Sequence, residues 1–248
     1  MSTTYETGHA KNVANFAAII TAITAYGTIY NPSIPTIKVA ALQAQLSAIK
    51  QATEKVNTAL ASYGNAVAVR DLGYEPLNKL SSRIISALKA TDAPQQVVDN
   101  AMTNHRKLTG TRASAKLGPE QVTALQTEGK EVKQVSASQQ SYDSRLDALD
   151  KQVKLLAAIP QYEPNETELK VATLETLWTT LQTKNAAVWT VKVALDTARL
   201  LRNKIMYAAE TGVIPTTLDV KNYVKSLFGL SSPQYKQISA LTFTQLKV

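Results

Sequence analysis

The amino-acid sequence predicts an all-α fold, an elongated antiparallel bundle of long, heptad-patterned helices with an internal tandem duplication. Two observations lead to this prediction. The 248 residues include only 9 Gly and 9 Pro, and 44% are hydrophobic although only 6% are aromatic. This composition favours closely packed helices around an aliphatic core. In addition, one phrase of the sequence occurs twice, once in each half of the chain.

The first helix is predicted near Val13–Thr28, within a stretch, Val13–Tyr30, that has no charged side chain. The length of this stretch lies at the lower edge of a membrane span. However, four polar residues dilute the stretch, and its large residues recur at spacings of three and four, which is typical of a helix that packs against protein. We therefore expect a core helix here rather than a membrane span.

The repeated phrase follows this helix. It reads "YNPSIPTIKVAAL" from Tyr30 and "YEPNETELKVATL" from Tyr162. Proline ends the preceding helix and a polar residue begins a new one, and in the second copy Asn165 and Glu168 have the spacing of a capping box. The shared Tyr-x-Pro pattern favours duplication over chance similarity between alanine-rich helices. The matched positions that we treat as structural markers are Tyr30 with Tyr162, Pro32 with Pro164, and Arg70 with Arg202.

A seven-residue rhythm of apolar residues predicts one long helix after each phrase. The seam begins at Leu174 in the second copy and at Leu42 in the first, where small residues alternate with large ones. Small residues in a seam allow helix axes to approach closely. Beyond these helices the copies slip by seven residues, so that Arg83–Pro94 matches Asn222–Pro233.

A third long helix is predicted in the middle of the chain, from Pro119, a favourable residue for a first turn, to Leu156. The tail after Pro233 is expected to be extended or irregular. Shorter helices are expected at Leu77–Ala90, Ala93–Leu108 and Thr217–Phe228. The resulting organisation, which we expect to form one continuous bundle, has a first repeat half (1–94), a basic loop with the long connecting helix (95–161), a second repeat half (162–233) and a C-terminal tail (234–248).

Composition excludes some classes of protein. There are 27 Lys and Arg against 19 Asp and Glu, a net charge of +8 that is spread evenly along the chain. Such a charge usually serves solubility, so nucleic acid and anionic membrane are less expected partners. The absence of cysteine excludes disulfides and thiolate metal sites. The N-terminus has an acidic residue and no cleavage motif, so we expect a cytoplasmic protein, with signal-independent export left open.

No catalytic constellation is evident. The two histidines, His9 and His105, are far apart in sequence, and we expect the first in a mobile terminus and the second on the surface. Three aspartates, Asp143, Asp147 and Asp150, share one helix face, but the adjacent lysines favour a solvated mixed-charge face over a metal site. Phosphate-binding glycine motifs are absent from the sequence. We therefore expect neither an enzyme nor a cofactor.

The most unusual local segment is "NHRKLTGTRASAKLG", from Asn104 to Gly118, which has four cations and no acid. Small, hydroxyl-bearing and basic residues can together bind phosphate. The alternative is a solvated hinge whose cations cap a helix C-terminus. No aromatic residue is interleaved, which argues against stacking on single strands. The candidate anion- or partner-binding residues are Arg106, Lys107, Arg112 and Lys116.

Arg70 and Arg202 occupy the same seam position in the two copies. An inward-pointing arginine needs an acid or a carbonyl as its partner. Asp71 or Glu75 could serve Arg70, and Glu210 could serve Arg202. Alternatively, both arginines face water near a helix end, and in either case the expected role is structural.

At "TRASAK", "EGKEVKQVSASQQSYDSRL" and "FGLSSPQYKQ" the chain resembles a group of uncharacterised, all-helical bacterial proteins, over nearly its full length. The resemblance implies a helical fold and a bacterial source, and it transfers no activity and no functional residue. Elongated bundles also resemble pore-forming helical toxins, but those carry a strongly apolar hairpin, from which Val13–Tyr30 departs.

The function expected from the sequence is that of a non-enzymatic structural or interaction protein that assembles with itself into homo-oligomers or filaments. Duplicated halves offer related surfaces, and related surfaces support repeated contacts. The alternatives are a membrane-active bundle that exposes Val13–Tyr30 and a weak nucleic-acid binder that uses the basic segment.

Overall fold

A computed structural model describes residues 4–112, 118–127 and 140–245, and every regular element in these ranges is helical. The predicted all-α class is therefore confirmed. Three short 3₁₀ turns, at Gly27–Ile29, Pro35–Ile37 and Thr167–Leu169, accompany the α-helices. The α-helices are α1 (Thr4–Ala25), α2 (Val39–Tyr74), α3 (Leu77–Lys89), α4 (Gln95–Thr109), α5 (Pro119–Thr127), α6 (Tyr142–Ala157), α7 (Val171–Tyr207), α8 (Val213–Phe228) and α9 (Pro233–Ser239).

The chain forms two compact units, which divide it within α2 and again within α7. Unit 1 contains the residues up to Tyr63 and those from Val191, and unit 2 contains Gly64–Thr190. Each unit therefore takes helices from both of the predicted repeat halves. Unit 1 has a core built from α1, the first part of α2, the last part of α7, α8 and α9. The core of unit 2 comes from the last part of α2, α3, α4, α6 and the first part of α7.

The predicted seven-residue seam is the buried line of the long helices. In α7 every seventh residue from Leu174 to Arg202 is buried, and in α2 the same is true of Leu42, Ile49 and Val56. In α2 the mostly smaller residues that alternate with these along the seam are half-buried, except Ala52, which is buried. Burial with this period places one stripe of each helix against protein and leaves the opposite face in solvent.

α1 is a core helix, as its spacing predicted. Phe16, Ile19 and Ile23 are fully buried in the core of unit 1. No helix among residues 4–112, 118–127 and 140–245 has an apolar stretch that is long enough to cross a membrane.

The repeated phrase folds into the same corner twice. In each corner a tyrosine hydroxyl donates a hydrogen bond to the carbonyl seven residues later, from Tyr30 to Ile37 at 2.8 Å and from Tyr162 to Leu169 at 3.0 Å. The long helix begins after the 3₁₀ turn, at Val39 or Val171. The predicted capping box at Asn165 is therefore wrong, because Glu166 precedes the 3₁₀ turn and α7 starts six residues beyond Asn165.

Two of the predicted elements are corrected. The middle helix is not continuous from Pro119 to Leu156, because Ser141 has an extended backbone and its hydroxyl accepts a hydrogen bond from the Ser144 amide at the start of α6. Residues 128–139 of that prediction lie outside the described residues. The tail begins with α9 rather than with extended chain, since Ser232 caps a helix that starts at Pro233.

The helices that follow α2 and α7 share a pattern of buried positions. The buried positions Leu77, Ser81, Ile84 and Leu88 of α3 recur in α8, at Val213, Thr217, Val220 and Val224. The offset between these positions is four residues larger than the offset between the two corners, and the slip of seven residues stays a prediction. The connection between α7 and α8 is longer than that between α2 and α3, and within it Gly212 donates a backbone hydrogen bond to Ala208.

Candidate interaction surfaces

The predicted anion-binding segment lies at the C-terminus of α4. Arg106 and Lys107 are in its last turn, and Gly110 ends it in the left-handed conformation with its amide bonded to the Arg106 carbonyl. Arg112 is exposed just beyond, and Lys116 lies outside the described residues. The main-chain groups left free at a helix C-terminus are carbonyls, which repel anions and attract cations. This placement favours the capping interpretation over a phosphate site.

A cluster of two arginines and two tyrosines joins α2 to α6 in unit 2. The Arg70 guanidinium lies 3.7 Å from the centre of the Tyr142 ring, and Arg145 lies 5.3 Å from that of Tyr74. The two rings pack edge to face with their centres 4.9 Å apart. Each guanidinium therefore lies near an aromatic ring, and these contacts stabilise the junction between the two helices.

Hydrogen bonds complete this cluster. The Tyr142 hydroxyl donates to Asp71 at 2.6 Å, and this bond raises the pKa of Tyr142. Arg145 donates to the Asn78 side chain at 2.9 Å. Asp71 also lies 3.6 Å from the Arg70 guanidinium, so it is the partner of Arg70 that the sequence suggested.

Arg202, the repeat-matched arginine, is buried in α7 and its guanidinium donates to the Asn203 side chain at 3.1 Å. Burial raises the pKa of Tyr207, and the positive charge of Arg202 offsets part of this rise. Arg70 and Arg202 thus both contact protein. Pro32 is buried and Pro164 is half-buried in the two corners.

Both histidines are placed differently from their predictions. His9 is buried within α1, with its ring centre 5.7 Å from that of Tyr207, so it is not part of a mobile terminus. His105 is half-buried, and its Nδ1 lies 2.8 Å from the Ser81 hydroxyl. Burial, Arg106 and Lys89 lower the pKa of His105. Its charged neighbours are cations and Ser81 is buried, whereas a catalytic serine–histidine pair needs an orienting acid and an accessible hydroxyl.

The three aspartates of α6 form a mixed-charge face. Asp147 and Asp150 each pair with the lysine four residues later, and Asp143 accepts a hydrogen bond from Asn185 at 3.3 Å. Within the part of the chain that the structure describes, no three His, Asp or Glu side chains converge as a metal site would require.

The most conspicuous exposed feature is an apolar stripe on α7, formed by Trp189, Val193 and Leu200. These side chains are 64%, 61% and 70% exposed. At 100° per residue they lie within about 40° of one another around the helix. Sequence reasoning followed the buried seam and missed this stripe, although the spacing of four and seven residues among large apolar side chains off the seam was a usable signal.

Comparison of the chain with protein-family models, with curated proteins and with solved structures finds no match. The resemblance seen in the sequence therefore assigns the chain to no family.

Proposed function

We propose that this protein is a non-enzymatic interaction protein that assembles with a second copy of itself through the apolar stripe of α7. The observation that carries the proposal is the exposure of Trp189, Val193 and Leu200 on a single helix face. Isolated apolar residues on a surface are ordinary, but an aligned set that includes a tryptophan is typical of a protein interface.

A second copy fits this stripe in an antiparallel arrangement. If the α7 helices of two copies pack antiparallel about a two-fold axis between Ala194 and Leu195, Trp189 of each copy packs on Leu200 of the other. The stripe is flanked by Lys192 and Asp196, whose side chains lie 2.5 Å apart within one chain. The same axis brings Lys192 of one copy close to Asp196 of the other, so the polar flanks are complementary. Such an isologous contact closes at a dimer, and filaments would need a further surface.

The oligomeric state tests the proposal directly. Light scattering over a range of concentrations should give twice the chain mass of 26.9 kDa for the wild type. A Trp189→Ser, Leu200→Ser double variant should give the single-chain mass, whereas Leu72→Ser, at an exposed leucine of α2, should leave the dimer intact. Circular dichroism verifies that each variant is folded. A wild type that remains a monomer at every concentration, or a double variant that still dimerises, would refute the proposal.

We further propose the tandem duplication and, as the arrangement of the bundle, the elongated antiparallel form that the heptads predict. Two copies of one corner, in which Tyr30 and Tyr162 make the same hydrogen bond at matched positions, support the duplication. Small-angle scattering tests the elongated form, because a compact sphere and a long bundle of equal mass differ in radius of gyration.

The two alternative functions have less support. The membrane-active alternative requires α1 to leave the core of unit 1, in which Phe16, Ile19 and Ile23 are buried. The nucleic-acid alternative depends on Arg106 and Arg112, and the former lies at the carbonyl end of α4. A cytoplasmic location is likewise a proposal that depends on the N-terminal sequence alone.

A further inference from the structure

We infer that the corner of unit 1 is a docking surface for an anionic lipid bilayer, one that the protein contacts from outside without inserting a helix. We define the unit 1 corner as Tyr26–Lys38 together with the C-terminal end of α8 and the start of α9. Its exposed apolar side chains are Ile29 (60%), Ile34 (52%), Leu227 (38%) and Leu230 (63%).

Direct contacts bring these side chains to the same end of the unit. The Tyr26 ring packs edge to face on Phe228, with centres 5.2 Å apart, and its hydroxyl donates to the Gln234 carbonyl at 3.2 Å. Tyr30 packs in the same way on Tyr223, at 5.3 Å. Ile29 therefore lies next to two residues that touch α8, and Leu227 and Leu230 flank the phenylalanine that one of them touches.

The charges around this corner have a single sign. Lys38, Lys225 and Lys236 are exposed on its three segments. The sequence has no Asp or Glu between Thr7 and Thr53 and none after Asp219, which lies about two turns before Leu227 on α8. Exposed aliphatic side chains surrounded by lysines match the interface of an anionic bilayer. The aliphatic side chains can enter the acyl-chain region, and the headgroup phosphates attract the lysines.

The corner of unit 2 shows that the fold does not require these apolar side chains. It has the same tyrosine hydrogen bond, but Gln161 and Glu166 occupy the positions that match Ile29 and Ile34. There, Arg83 pairs with Glu168 and lines a cleft of about 600 Å³ together with Ser82, Ser86 and Tyr162. A polar surface is therefore compatible with this kind of corner, which does not need exposed isoleucines to form.

Co-sedimentation with vesicles tests the inference on the full-length protein. We expect binding to phosphatidylglycerol vesicles, weak binding to phosphatidylcholine vesicles, and a loss of binding as the salt concentration rises. Neutralising two lysines of the corner, Lys38→Gln with Lys225→Gln, should lower the partition coefficient roughly 20- to 30-fold, at about 1 kcal/mol for each lysine near the surface. Ile29→Ser with Leu230→Ser should also lower it, even at low salt.

The matched control separates this surface from the general basic character of the chain. Lys79→Gln with Lys89→Gln, at exposed positions of α3 in unit 2, removes the same charge elsewhere. If this control lowers binding as much as the corner variant, or if the serine variants bind like the wild type, the inference is wrong. Failure to bind anionic vesicles, with salt-sensitive retention on DNA instead, would overturn it in favour of a nucleic-acid partner. The dimer proposed above is measured separately, so either result stands without the other.

Discussion

At the scale of single residues, the tyrosine that opens each repeated phrase is the best example of a position whose role follows from its chemistry. Tyr30 and Tyr162 are buried, and each donates its hydroxyl hydrogen to a carbonyl within its own corner. Burial raises the pKa of both, to about 12 for Tyr162, so that each hydroxyl keeps its proton in alkaline solution where an exposed tyrosine would begin to lose it. A buried phenol needs such a partner, and a carbonyl seven residues away supplies it without help from the rest of the chain.

The two tyrosines should therefore make equal contributions to stability. Tyr30→Phe and Tyr162→Phe each remove one buried hydrogen bond and leave a carbonyl without its donor, so each should reduce the free energy of unfolding by about 1–2 kcal/mol. Because each bond closes inside its own corner, the double variant should lose the sum of the two. Urea unfolding measures all three variants. A loss in one variant and none in the other would show that the two corners are not energetically equivalent.

Other residues could not be placed from the sequence, because their partners are distant along the chain. His105 has no nearby acid in sequence, which suggested a surface position, but α3 and α4 pack together and bring Ser81 to its ring. The stacking of Arg70 on Tyr142 likewise joins two helices that are far apart in sequence. Only Asp71, the immediate neighbour of Arg70, was predictable as a partner.

At the scale of elements, the long helices were predictable because a seven-residue rhythm over many turns is a strong periodic signal. The break before α6 was not predictable, because the seven-residue rhythm of the sequence continues through it. A new helix begins after Ser141, because its backbone is extended and its side chain caps the N-terminus of α6. Capping competes with helix continuation at serine, and the sequence alone does not decide between them.

Glycines test the geometry of these elements. A Cβ at Gly212, between α7 and α8, would lie 2.7 Å from the amide nitrogen and from the carbonyl oxygen of Ala208. These are backbone atoms, which cannot move away as the end of a flexible side chain could. Gly212→Ala should therefore destabilise the protein by about 1–3 kcal/mol. Gly64→Ala, at an exposed position in the middle of α2 with open space around it, should instead stabilise it by up to about 1 kcal/mol. Thermal unfolding monitored by circular dichroism measures both. Equal effects of the two substitutions would contradict the close approach at Gly212.

At the scale of the whole molecule, the division into units was not predictable from the proposed duplication. Repeat halves are consecutive in sequence, whereas each compact unit combines helices from both. The reason is the length of α2 and α7, since a helix of 36 or 37 residues extends for about 55 Å and exceeds what one small core can cover. α1 and α6 also both end five residues before the corner tyrosine that follows them.

Because α2 and α7 are each unbroken where the units divide, the units should unfold together. Unfolding unit 1 alone would require both helices to break in their middle, which frees backbone groups and exposes the seam at Val56 and Leu195. Trp178 packs against the core of unit 2 and reports on that unit by its fluorescence, in a Trp189→Phe background that removes the second tryptophan.

Ile23→Ala in α1 and Leu149→Ala in α6 each delete a fully buried side chain, one in the core of each unit. Each should cost about 2–5 kcal/mol. If the long helices couple the units, both variants lower the urea midpoint that Trp178 reports, although the first substitution lies in the other unit. A Trp178 midpoint that moves with Leu149→Ala and stays fixed with Ile23→Ala would mean that α2 and α7 break at the boundary and that each unit is stable by itself.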